Sequence, residues 1–109
     1  MRTKAEQPNA KRTQSSAERA LRVLDVLKGH SLTGLTNKQI TEATGYFSSG
    51  VSLSLNTLAA AGFVTQLETG RWAHSIKFLQ MAQAHADHIS RMQGRINEYN
   101  ARVIAGAHQ

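Results

Sequence analysis

The residues whose types and spacing could do chemistry lie in one uncharged stretch, Ser48-Ser49-Gly50-Val51-Ser52-Leu53-Ser54-Leu55-Asn56, just after Gly45-Tyr46-Phe47. At 100° per residue, Val51, Leu55 and Leu58 share one helical face, and Ser49, Ser52, Leu53 and Asn56 fall on the opposite one. A carboxamide such as that of Asn56 can pair bidentately with an adenine edge. Serine hydroxyls can bond to bases or phosphate, and a leucine can meet a thymine methyl. The same four residues equally suit an ordinary solvated helix surface, with Leu53 in a protein contact. Because the stretch carries no charge, attraction to phosphate has to come from elsewhere. The candidates are Arg12 in the N-terminal arm, Arg19 and Arg22 near the start of order, Lys38, Arg71, and the hydroxyl of Ser48.

Other chemistries find less support. His85 and His88 are three apart with Asp87 between them, but a zinc site needs three or four ligands, and a solvated helical face accounts for these residues better. His30, His74 and His108 are scattered. No Ser–His–Asp grouping or carboxylate pair stands out, and Gly45–Gly50 lacks the lysine of a phosphate-binding loop. The chain has no cysteine, which removes disulfides, thiolate metal sites and cysteine nucleophiles. The expectation is no enzyme, no cofactor and no metal.

The 109 residues allow one compact domain and an additional helix or tail. Thirteen Lys and Arg against seven Asp and Glu give a formal charge of +6, which favours polyanionic partners. Arg2, Lys4, Lys11 and Arg12 against Glu6 put half of that excess in the first fifteen residues. The longest apolar run, Leu58–Val64, is far short of the roughly 20 residues that span a bilayer. No secretory signal pattern precedes it. A cytoplasmic protein without membrane contact is expected.

The elements that must position these residues follow from periodicity and capping. Residues 1–14 contain the only proline and almost no large apolar side chain, which predicts a disordered basic arm. Ser15-Ser16-Ala17-Glu18 fits a capping box opening a helix with an Ala20, Val23, Leu24, Leu27 stripe, closed by Gly29. Thr36 and Gln39 make a second capping box, flanked by Leu35 and Ile40 as a staple, and Gly45 suits the end of that helix. Ser48 is expected to cap the third helix and Gly62 to end it. Two helices joined by a short Gly-containing turn form a helix-turn-helix. Phe63–Leu67 and Arg71–His74, around Glu68-Thr69-Gly70, then read as a β-hairpin. The predicted fold is mostly α with a small β-hairpin, a winged helix-turn-helix over residues 15–74. A long helix follows over residues 75–105 and a flexible tail over 106–109. In the long helix Ile89, Met92, Ile96, Tyr99 and Val103 are spaced 3, 4, 3, 4, a seam that pairs with a second copy or folds back on the winged domain.

SSAERALRVLDVLKG, LTNKQITEATGYFSSGVSLSLNTLAAAGFVTQ and GRWAHSIKFLQMA resemble, in order and spacing, the DNA-binding domain of the isocitrate lyase regulator (IclR) family. The match runs over about residues 15–82. The resemblance implies a dimeric operator-binding protein with the third helix in the major groove and the wing on backbone or minor groove. Two features depart from the family. Its larger effector-sensing domain has no room in 109 residues, so control by a small molecule through such a domain is not expected. SSGVSLSL is also uncharged, with Leu53 where the family commonly has Arg. The combined expectation is a homodimeric transcriptional regulator, a repressor by default, on a palindromic double-stranded DNA site. Its abundance or a protein partner would control it, a simplicity that suits mobile elements. The rivals are a protein-interaction module on the same fold and a nonspecific architectural DNA binder.

Overall fold

The computed structural model describes residues 11–108; of the expected arm, residues 1–10 lie outside that range. The elements are α1 (Ser15–Val26), α2 (Asn37–Thr44), α3 (Ser48–Ala60), β1 (Val64–Gln66), β2 (Trp72–His74) and α4 (Ile76–Ala107). They divide into two compact units, one ending at Ser75 and the other beginning at Ile76.

In the first unit the apolar stripes converge. Val23, Leu27, Ile40, Val51 and Leu55 are essentially inaccessible, and Leu24, Leu58, Val64 and Ala73 complete the core. Ser54 is also buried, at 4% exposure, a polar residue that the apolar periodicity does not mark.

Local chemistry sets the helix ends. Thr36 Oγ1 accepts from the Gln39 N–H at 3.1 Å, and Gln39 Oε1 accepts from the Thr36 N–H at 2.8 Å. This is the expected capping box. Gly45 then leaves α2 with φ +78°. At the end of α3 the Gly62 N–H donates to Ala59 O at 3.0 Å and the Phe63 N–H to Leu58 O at 2.8 Å. With Gly62 at φ +86°, this is a Schellman closure.

Two expected caps differ. Gln14, extended and without a side-chain cap bond, occupies the N-cap of α1, so Ser15 is already helical. The capping box of Ser15 and Glu18 is therefore not made, and Glu18 faces Arg22 at 3.6 Å instead. Phe47 likewise occupies the N-cap of α3. Ser48 is the first helical residue, and its hydroxyl is turned towards α2.

The wing pairs Val64 with His74, Thr65 with Ala73 and Gln66 with Trp72, antiparallel. Leu35 adds a rung on the other edge: its N–H donates to Trp72 O at 2.9 Å and its carbonyl accepts from the Trp72 N–H at 2.7 Å. Gly34, buried at φ +71°, makes this approach possible, because a Cβ there would stand 2.8 Å from Trp72 O. At the base of β2, His74 Nε2 lies 2.8 Å from Leu24 O. A carbonyl only accepts, so Nε2 carries the proton.

The second unit is α4, 32 residues and roughly 48 Å at 1.5 Å per residue. No residue on it is buried. Among the described residues, no helix is long and apolar enough to cross a membrane.

Candidate nucleic-acid interface

Asn37, the first residue of α2, sets the spacing between α2 and α3. Its Nδ2 donates to Ser52 Oγ at 2.9 Å. Its Oδ1 accepts from Ser48 Oγ at 3.1 Å and from Thr41 Oγ1 at 3.2 Å. Three bonds leave the carboxamide one sensible orientation, and they tie the first turn of α2 to the first two turns of α3. Ser48 and Ser52 thus have partners within the fold. Asn37 is not among the residues expected from sequence, although a signal for it is there: two polar pairs at i, i+4, Asn37/Thr41 and Ser48/Ser52, on consecutive helices. Asn37→Ala is expected to cost about 0.5–1.5 kcal/mol, because the bonds to Ser48, Ser52 and Thr41 are lost while the exposed serine hydroxyls regain water. A urea melt followed by Trp72 fluorescence measures it, and a loss under 0.5 kcal/mol would show that the hub is dispensable.

Ser49, Leu53 and Asn56 are all exposed on the far side of α3 from its buried stripe. Leu53 is 65% exposed and Phe47, at the mouth of the helix, 87%. Arg19 of α1 reaches this mouth. Its guanidinium carbon lies 5.8 Å from the centroid of the Tyr46 ring, within cation–π range. Its stem passes so close to Gly50 that a Cβ there would stand 3.2 Å from Arg19 Cδ. Arg19, Tyr46, Phe47, Ser49, Gly50 and Leu53 line one open groove.

The remaining candidates are dispersed. Arg71 is half-buried, and its Nη1 donates to Gln39 Oε1 at 3.2 Å and, at 3.5 Å, to Gly34 O. It therefore fastens the wing to the cap of α2, a role that sequence did not reveal, while a guanidinium has further donors to offer. Arg22 is paired with Glu18 on an exposed face. Lys38 is exposed in the first turn of α2, and Arg12 is exposed ahead of α1.

On α4 the 3, 4, 3, 4 stripe lies open: Ile89, Ile96, Tyr99 and Val103 are each more than half exposed, and Met92 is half-buried. Arg102 pairs with Glu98 at 2.8 Å beside it. Asp87, between the two histidines, accepts from Gln83 Nε2 at 2.9 Å. Among the described residues no three His, Cys, Asp or Glu come together as a metal would require.

Compared with known protein families, residues 16–68 match the IclR helix-turn-helix domain. The match takes in α1, α2, α3 and β1. A helix-turn-helix is a DNA-binding motif, and the matched model is named for one. Among solved structures, Pseudomonas aeruginosa HmgR is similar at 28% identity and TM-score 0.57, over 66% of this chain and 30% of that one. An IclR family transcriptional regulator from Brucella abortus is similar in fold, at 24% identity and TM-score 0.60, over 77% of this chain and 32% of that one. The chain thus spans about a third of the length of these structures. Comparison with curated proteins gives no match.

Proposed function

We propose that this chain is a sequence-specific DNA-binding transcriptional regulator that binds a palindromic operator as a homodimer and represses by occluding a promoter. The observation that carries the reading is the outward face of α3. Ser49, Leu53 and Asn56 stand exposed on the second helix of an IclR helix-turn-helix, and Asn37 fixes that helix in place. In such motifs this helix enters the major groove while the preceding elements meet the backbone. Ser52 adds a hydroxyl to the same face. Arg12, Arg19, Arg22, Lys38, Ser48 and Arg71 serve backbone or minor groove. Residues 15–74 are then the DNA-binding part, and residues 75–105 pair two copies along Ile89, Met92, Ile96, Tyr99 and Val103, a heptad seam.

Selection from a random duplex library, followed by a salt titration on the recovered and a scrambled sequence, tests this. An inverted repeat bound far more tightly than its scramble is the expected result. Steep salt dependence without a gap would make the chain an architectural binder. No binding at physiological salt would turn the function to protein interaction, for which exposed Phe47 and Leu53 offer a surface.

A further inference from the structure

We infer that α3 reads thymine methyls and adenine edges, so that each half-site has an A·T core under this helix, with Phe47 joining Leu53 as a methyl-reading residue. This rests on the DNA-binding reading above and deepens it.

The inference starts from what the helix lacks. From Ala43 to Gln66 there is no Lys, Arg, His, Asp or Glu. In the major groove guanine is read chiefly by the paired donors of Arg or Lys on O6 and N7, and cytosine by a carboxylate on N4. α3 carries neither kind of group. Arg19 is the cation at the mouth of the helix, but its head stands over Tyr46 and its stem against Gly50. It also belongs to α1, outside the α2–turn–α3 pair whose second helix enters the groove.

What remains is specific in another direction. Asn56 presents an exposed carboxamide, the group that pairs with adenine N6 and N7. Ser48 and Ser52 are already bonded to Asn37, which reduces what they offer to bases. Phe47 and Leu53 leave 87% and 65% of their area in water on one groove, an apolar pair made of the N-cap and a residue in the second turn of the helix. The apolar feature of the major groove is the C5-methyl of thymine. Apolar contact with that methyl would cover both side chains, and α3 itself carries no charge that has to be desolvated to make it.

The test uses the full chain and the duplex recovered by selection, synthesised with deoxyuridine in place of each thymidine in turn. This substitution keeps base pairing and removes only the methyl. At one or two positions per half-site it is expected to weaken binding by about 5- to 10-fold, on the scale of a good single base contact. Leu53→Ala and Phe47→Ala should each weaken binding to the thymidine duplex and shrink the thymidine–deoxyuridine gap at one of those positions. Both side chains are exposed, so their melting temperatures should stay near that of the parent. Selective binding with equal affinity for thymidine and deoxyuridine duplexes, or a recovered core of G·C pairs, overturns this inference and leaves the regulator reading standing. Absence of selective binding to any duplex overturns both.

Discussion

Gly34→Ala is expected to melt the winged unit roughly 8–40 °C below the parent protein, at about 4–8 °C per kcal/mol for a domain of this size. Two costs combine. At φ +71° an L side chain is strained by roughly 1–2 kcal/mol. The new methyl would also meet Trp72 O at 2.8 Å, Arg71 Cβ at 3.0 Å and Leu67 Cδ1 at 3.2 Å. Crowding of this sort costs about 1–3 kcal/mol more when the neighbour cannot move. Trp72 O cannot move freely, because it accepts the N–H of Leu35 at 2.9 Å. Gly45→Ala is the control. It has a similar φ of +78° and nothing within 4 Å of its would-be Cβ, so it should carry only the strain. Trp72, the single tryptophan, reports on the winged unit separately from the helicity of α4. If the two variants melt together, the wing does not depend on close approach at Gly34.

Ile96→Lys should abolish pairing and reduce affinity for a full palindrome by about 100-fold or more, the scale on which linking two weak sites raises apparent affinity. Ile96 stands at the middle of the open stripe on α4, where paired copies would bury two ammonium groups with no partner. Affinity for a single half-site should be unchanged, since the substitution lies outside the winged unit. Sedimentation equilibrium and titration of half and full sites measure both effects. A variant that sediments like the parent and binds the palindrome equally well would remove α4 from the dimer reading.

What could be read in the sequence divides along a physical line. Signals confined to a few neighbouring residues were legible. The stripes Val23/Leu24/Leu27 and Val51/Leu55/Leu58 name most of the core, Thr36 and Gln39 name a cap, and Gly45 and Gly62 name two helix ends. The hairpin follows from its turn residues, and the exposure of Ser49, Leu53 and Asn56 follows from the helical wheel. The caps at Ser15 and Ser48 went wrong by one residue. A serine at N-cap and one at the first helical position have the same local sequence, and the backbone angles of the residue before decide between them. Contacts across the fold were not legible. Leu35 is a single residue with no strand period, so its rung on Trp72 has no pattern to announce it. Arg71 meets Gln39 across 32 residues of chain. Asn37 and Ser52 meet only because α2 and α3 are packed.

The wing is secured at its tip, its edge and its base. Leu67 and Arg71 close the tip at 2.7 Å, and Leu35 holds the edge. At the base the Ser75 hydroxyl donates to Gly62 O at 2.6 Å and the Ser75 N–H to Phe63 O at 2.9 Å. Ordering the hairpin is therefore a cost met when the domain folds. A surface already ordered loses little conformational entropy when a ligand settles on it. The wing's share in any association then lacks the large negative heat-capacity change and the entropic penalty of a segment that folds as it binds.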